Sequence, residues 1–523
     1  MIYRSPFPDV EILVVSLPAY LFEHADQWAD KPALIDGPTN RTLTYGQLTT
    51  AVKRTATGLA ARGFSKGDVF AIYSPNIPEY AIAFFGVASA GGVNTTINPT
   101  YTAKELRHQL LDSGATYLVT IPQFLEAARE AITDTGVKEI FVFGEAEGAT
   151  PFAELMIAGE PPQIEINPKE DLVALPYSSG TTGLSKGVML THYNMVANLS
   201  QILGVEATAK TEVLMGILPF YHIYGMTAIM CNTLRAGATV VTMPRFELEQ
   251  FLDLIQKHKI TTAYLVPPLV LALAKHPVVD RYDLSTLDDI MSGAAPLPES
   301  VATTCATRNN VVVRQAYGLT ETSPATHINP KDREIKVASV GTALPNTEYR
   351  IVDLSTLKDA TQGDLGEVWI RGPQVMKGYL NNPSATEDMI DDENWLHSGD
   401  IGKADDDGYL YVVDRVKELI KYKGLQVAPA ELEGIIQSHP AVADVAVIPS
   451  PDEEAGEIPK AFVVVKPDAT LTADEVIAYV AERVSPQKKV RKVEFIDAIP
   501  KVSSGKILRR QLVERERQSI SNQ

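Results

Sequence analysis

Cysteine is scarce, with only Cys231 and Cys305 in 523 residues. Two thiols make no disulfide framework and have no metal-site spacing, which points to a reducing compartment. Basic charge is also in deficit. The formal net charge of −18 argues against nucleic acid or an anionic membrane as partner, and it requires any anion site to be locally basic. Long apolar runs are missing too. The richest, Ala81-Ile-Ala-Phe-Phe-Gly-Val-Ala-Ser-Ala90, is too short to span a bilayer and reads as a buried helix. Met1-Ile-Tyr-Arg-Ser-Pro-Phe-Pro holds no apolar signal core, and Ser519-Ile-Ser-Asn-Gln523 is neither a peroxisomal nor a prenyl signal. The expected location is the cytoplasm. There is no internal repeat and no low-complexity linker.

What is present is the ordinary composition of a soluble enzyme, 45% hydrophobic and 21% charged. The chain is too long for one core, so two or more domains are expected. From about 33 to 330, short apolar runs (Val69–Tyr73, Tyr117–Thr120, Thr239–Thr242, Thr262–Val266) alternate with helix-like stretches (Leu43–Arg62, Ile77–Ala90, Leu248–His258). That alternation predicts an α/β domain with layered, mostly parallel sheets. From about 337 to 414 the texture turns to short strands and Gly/Asp turns, a β-rich subdomain. Asp405-Asp-Asp-Gly408 lacks the ligand spacing of a calcium loop and reads as a hairpin turn. The tail is a small α+β unit: a helix from Pro429, strands at 442–448 and 461–466, a capping box at Thr472-Ala-Asp-Glu475, and a strand at 492–496. The expected division is 1–414 and 415–523, with the boundary between Asp414 and Lys417.

The most informative stretch is Tyr177-Ser-Ser-Gly-Thr-Thr-Gly-Leu-Ser-Lys-Gly187. Its glycines let several backbone N–H groups point into one concavity, and hydroxyls with Lys186 rim it, which suits a polyphosphate. It is not a P-loop, whose lysine follows glycine and precedes Ser or Thr. The apolar run Asp171–Pro176 ahead of it reads as the buried strand that carries it. Further islands hold more polar and glycine content than packing needs: Pro219-Phe-Tyr-His-Ile-Tyr-Gly225, Gln315-Ala-Tyr-Gly-Leu-Thr-Glu321, Ser398-Gly-Asp400, Asp414-Arg-Val-Lys-Glu-Leu-Ile-Lys-Tyr-Lys-Gly424 and Ser503-Ser-Gly-Lys-Ile-Leu-Arg-Arg510. Singly each has a bland reading, a core histidine or a solvated basic face. Together with the glycine-hydroxyl loop they do not.

On these residues, with Ser178-Ser-Gly-Thr-Thr-Gly183, His222-Ile-Tyr224, Gly372-Pro-Gln-Val-Met-Lys-Gly-Tyr-Leu380 and Val416–Gly424, the chain resembles the adenylate-forming enzymes. These are acyl- and aryl-CoA synthetases, firefly luciferase and peptide-synthetase adenylation domains, and within them it looks most like 4-coumarate–CoA ligases. The resemblance runs in order over nearly the whole length. It departs at Ser185 (usually proline), Trp369 (often cysteine) and Ala316 (frequently glycine).

The resemblance implies ATP, Mg²⁺ and coenzyme A as co-reactants, a small carboxylic acid as substrate, and a mobile C-terminal domain. It assigns Ser178, Ser179, Gly180, Thr181, Thr182 and Lys186 to the β- and γ-phosphates, Thr320 to the α-phosphate, and Glu321 to Mg²⁺. Gln315 and Tyr317 fall on the nucleotide side, and Asp400 with Arg415 on the ribose. Lys506 is implied for adenylation, Lys421 and Gln426 for thioester formation, Lys417 for the hinge, and His222 for a movable pocket wall. Arg245, Lys423 and Gly424 are implied for CoA. The acyl pocket falls to Tyr224, Ala228, Met291, Gly293, Ala294, Ala316, Pro324 and Ala325, with small residues leaving a slot for a flat ring and Tyr224 offering a polar handle for a ring hydroxyl. Ala316 narrows that slot by a methyl, which favours cinnamate or coumarate over ring-methoxylated acids. The expected activity is a phenylpropanoid-type acid–CoA ligation through an acyl-AMP. A medium-chain fatty acyl-CoA synthetase has the same chemistry and stays open. Luciferase chemistry, a stand-alone amino-acid adenylation domain and a non-catalytic nucleotide-binding regulator are weaker.

Overall fold

The computed structural model describes residues 1–178, 185–206, 208–423, 425–452, 455–467, 469–501 and 505–521. These residues form four sheets. Ser179, Gly180, Thr181, Thr182 and Gly424 lie outside them, as does the side chain of Gln426.

Two large sheets make the body. In one of nine strands, six run parallel in the order Val312–Gly318, Asp289–Ser292, Thr262–Leu265, Val213–Gly216, Thr239–Thr242 and Pro32–Asp36. In the other, of eight strands, Leu172–Ser178 lies beside Val93–Ile97 in a parallel core and is paired antiparallel with Lys186–Thr191. The central strands are buried on both faces, which is why they read as continuous apolar runs rather than alternating ones. Helix Pro78–Ser89 is buried on nearly every side and belongs to the core cluster that the two sheets share. A helix apolar all round has no other stable place in a soluble chain.

A third, antiparallel sheet joins Tyr3–Arg4, Glu348–Val352, Gly366–Arg371, Leu396–Ala404 and Leu410–Arg415 around its own core. Asp405 to Gly408 forms the hairpin turn, and its acids Asp405 and Asp407 grip Lys336 at 2.8 and 2.7 Å. The sheet ends at Arg415, which sits opposite Asp400 in register. Only at Ile420 does the next sheet begin, with a separate core of Ile420, Val427, Leu432, Val445 and Val463 among others. The expected helix from Pro429 is there as Pro429–Gln437, and Thr472 and Glu475 form the capping box of Ala473–Ala481. The two strands expected near 442–448 and 461–466 are longer, Val442–Asp452 and Gly456–Val465, because they close on each other as one hairpin.

Candidate active site

The phosphate-type loop leaves the eight-stranded sheet at Ser178 and returns at Lys186, its partner in the ladder. Tyr177, just before the loop, donates to Asp112 at 2.6 Å, and Ser185, just after it, is hydrogen-bonded to Tyr101. The ammonium of Lys186 lies 4.8 Å from the centre of the Tyr379 ring. Tyr379 in turn donates to Glu321 Oε1 at 2.8 Å, and Ser178 donates to the same oxygen at 2.9 Å. Glu321 is thus buried with one oxygen committed and the other without a hydrogen bond among the described residues. A single carboxylate beside phosphate-binding groups suits Mg²⁺, which takes few protein ligands and fills its shell with water and phosphate oxygens.

The Gln315–Glu321 island folds tightly over Pro324. A Cβ on Gly318 would stand 1.9 Å from the Pro324 carbonyl oxygen, so no larger residue fits there. Next to it, Tyr317 donates to Asp400 Oδ2 at 2.7 Å, and Arg415 Nε lies 3.1 Å from Oδ1. Burial pushes the Asp400 carboxyl up, and Arg415 pulls it back.

The small unit presents Lys506 to the same cleft. Burial and then the Arg415 guanidinium push its ammonium down, while Glu418, Asp400 and Glu321 hold it up. Each of those three acids already has a partner: Asp400 has Tyr317 and Arg415, Glu321 has Ser178 and Tyr379, and Glu418 has Arg509. Lys506 itself forms no ion pair among the described residues. The loop that carries it rests on the large unit at Pro268, which a Cβ on Gly505 would meet at 2.8 Å. His222 faces the same space. Burial, then Lys506, push its imidazole down to about 4. Its Nδ1 accepts from the Tyr224 N–H at 3.2 Å, and the residue lines the cleft.

These groups line one cavity of about 1570 Å³. Its lining includes Ser178, Lys186, Thr320, Glu321, Asp400 and Arg415, and also the eight residues assigned to the acyl pocket: Tyr224, Ala228, Met291, Gly293, Ala294, Ala316, Pro324 and Ala325. Tyr224 begins a wide π-type helical run, Tyr224–Cys231, a feature often found at functional sites. A side chain on Gly293 would press the Tyr224 ring at 3.0 Å.

Matches to known proteins fit this geometry. The AMP-binding enzyme family matches residues 21–380, and the AMP-binding enzyme C-terminal domain matches 431–506. The chain belongs to the AMP-binding enzyme family. It is 43% identical to 4-coumarate–CoA ligase 1 of Petroselinum crispum, over 98% of this chain and 96% of that one. It superposes on ATP-bound MatB from Rhodopseudomonas palustris with a TM-score of 0.89 at 29% identity, over 96% of this chain and 99% of that one. Against the apo form of the same protein the TM-score is 0.79 over the same shares. O-succinylbenzoate CoA synthetase from Bacillus subtilis, in complex with its acyl-adenylate intermediate, gives 0.82 at 30% identity, over 95% of this chain and 98% of that one. The chain is therefore an adenylate-forming fold from end to end.

Several family-matched positions stand elsewhere than the cavity. Arg245 is exposed on the loop after Thr239–Thr242, and Lys421 and Lys423 are exposed on the small unit; none of the three lines the cavity. Lys417 does line it, from the crossing segment between the two sheets. One assignment needs correction. Gln315 lines the cavity, but its amide is committed inward: Oε1 accepts from Leu297 N at 3.1 Å and Nε2 donates to the Val337 carbonyl at 2.7 Å. It braces the segment that carries Gly293 and Ala294 rather than offering a free amide to a nucleotide. The Tyr224 hydroxyl donates to the Met291 carbonyl at 3.1 Å, so what it has left to offer the cavity is an acceptor oxygen. Sequence reasoning missed Tyr379, Glu418 and Arg509. Tyr379 lay inside the quoted Gly372–Leu380 stretch, but nothing local tied its hydroxyl to Glu321, 58 residues away.

Proposed function

We propose that the chain is an ATP-dependent, AMP-forming acid–CoA ligase whose acid is a flat, hydroxycinnamate-like carboxylate. The observation that carries this reading is Lys506, a cation held in a cleft whose nearest acids are already partnered. An uncompensated ammonium there favours an anionic ligand, and more so because the net charge is −18. The 43% identity to a 4-coumarate–CoA ligase supports the acid class.

A carboxylate does not react with a thiol directly, since oxide is no leaving group. Attack of a carboxylate oxygen on the α-phosphorus of ATP forms an acyl–O–P bond and expels pyrophosphate. The CoA thiolate then attacks the acyl carbon and AMP leaves. The first step is mostly positioning and charge neutralisation. Lys186 and the loop after Ser178 would hold the β- and γ-phosphates, Thr320 the α-phosphate, and Asp400 with Arg415 the ribose. Lys506 would meet the negative charge at the reacting phosphate. Glu321 would hold Mg²⁺, which supplies charge neutralisation to the phosphate oxygens. The neutral His222 would form the wall between acyl slot and thiol. The higher TM-score against the ATP-bound form than the apo form of MatB supports an arrangement of units suited to adenylation. Lys421, Gln426, Arg245, Lys423 and Gly424 would serve the thioester step after the small unit turns near Lys417. No helix of the described residues is long and apolar enough to cross a membrane, and a cytoplasmic place in phenylpropanoid-type metabolism is part of the reading.

One observation favours the second acid class. The slot is mostly apolar, and the Tyr224 proton is already committed to Met291, which also suits a medium-chain fatty acid. A single experiment separates the two. Pyrophosphate release is measured with ATP, Mg²⁺ and a panel of coumarate, cinnamate, ferulate and octanoate. The expected result is AMP and pyrophosphate with a preference for coumarate or cinnamate. ADP with an acyl phosphate would refute the ligase reading, and preference for octanoate would move it to fatty acids.

A further inference from the structure

Arg509 opens the last helix, Arg509–Ser521, and follows Lys506 on the same tail. Its side chain is 15% exposed. One nitrogen holds Glu418, in the segment where the chain crosses between units. Another grips both oxygens of Glu433, on helix Pro429–Gln437, at 2.8 and 2.6 Å. Asp414, the last acid of the third sheet before Arg415, closes the cluster by accepting from Ala430 N at 2.8 Å. Burial opposes the charge on Arg509, and Glu433, Glu418 and Asp414 outweigh it.

Glu418 therefore stands among three cations, Arg509, Lys506 and Arg415. Lys506 lines the same cavity as Glu418 and feels its field, yet among the described residues it makes no ion pair with it, while Arg509 does. We propose that Arg509 is a positioning residue for the adenylation step: by occupying Glu418 it keeps that carboxylate off Lys506 and leaves the lysine ammonium free for phosphate. This inference rests on the proposed ligase activity. Without the guanidinium, three largely buried carboxylates would lose the cation that pairs Glu418 and Glu433; Arg415 feels Glu418 too but already holds Asp400, and Lys506, on a flexible stem, is the cation left to answer them. A lysine so captured no longer answers charge on the nucleotide. The planar fork of arginine suits the post because it binds Glu418 and Glu433 at once, which a point-charge ammonium does not do with the same geometry.

A purely structural staple would behave differently, since its loss weakens both half-reactions together. The test uses the full chain in two assays, ATP–pyrophosphate exchange with acid and thiolysis of synthetic acyl-AMP by CoA. Arg509→Met should cut exchange by about 30-fold and leave thiolysis within about 3-fold. Arg509→Met with Glu418→Gln removes the competing charge and should return exchange to within about 5-fold of the parent. Equal loss in both assays, or no recovery in the double variant, overturns the proposal. If Arg509→Met does not fold, Glu418→Gln alone decides: exchange should stay within about 3-fold, and a drop of about 10-fold or more would make Glu418 a working partner of Lys506. Absence of exchange in the parent protein with every acid would instead strike the ligase reading, before any variant is made.

Discussion

The small unit carries two lysines, Lys506 and Lys421, whose surroundings differ sharply. On the tail face, Lys506 sits in the cleft, its loop resting on Pro268, with His222, Asp400 and Glu321 within its field. Away from the cavity, Lys421 lies exposed on the hairpin of Ile420–Tyr422 and Leu425–Val427, its backbone N–H donating to Glu457 at 2.7 Å. Both lie in basic, glycine-containing runs that look alike in one dimension. What separates them is burial among acids that already have partners. On the proposed reading, it is these surroundings and not the motif that fit Lys506 to a phosphate.

The largest expected effect comes from breaking this contrast at the buried end. Lys506→Ala should lower pyrophosphate exchange by about 100-fold or more, as for loss of a preorganised charge donor, while supplied acyl-AMP is still converted to thioester. Lys421→Ala should do the reverse, with thiolysis down by about 10-fold and exchange near the parent value. If both variants damaged both steps alike, the two faces would not serve separate steps.

A smaller effect concerns a wall that belongs to neither face. Ala316 lines the inner slot on the nine-stranded sheet. Ala316→Gly should shift the ratio of kcat/KM toward ferulate over coumarate by about 5-fold, in the range of one methyl group. An unchanged ratio would remove Ala316 from the ring site. The smallest effect sharpens the comparison between units. His192, His222 and His327, all in the large unit, are pushed by burial from 6.5 to about 4, about 4 and about 3. Depressed imidazoles bind protons more readily in the unfolded chain. Their stabilising contribution is whole above 6.5 and declines as pH falls toward 4. The large unit should therefore melt a few degrees lower at pH 5 than at pH 7. A large-unit melting temperature that does not fall over this range would show that these rings do not stay neutral.

Much of the fold was legible because its signals are local. Helix Pro78–Ser89 announced itself by being apolar all round, and the Thr472–Glu475 box fixed the start of Ala473–Ala481. The turn at Asp405–Gly408 followed from Asp and Gly in sequence. The residues assigned to the acyl pocket, between 224 and 325, all line one cavity. Gln315 was misread because its island looks ligand-facing, and only the fold brings Leu297 and Val337 to its amide.

By itself the sequence determined the order of elements, the two-unit plan and the groups available for chemistry: a glycine-hydroxyl loop, acids in glycine- and hydroxyl-rich islands, and clustered cations against a field of −18. Those follow from side-chain period, turn residues and charge, which act over a few residues. The tertiary structure alone decided which cation faces the cleft, that the Tyr224 proton belongs to Met291, and that Arg509 takes Glu418 from 91 residues away. Such choices depend on which surfaces pack together and on how much water that packing removes, and no local pattern encodes either.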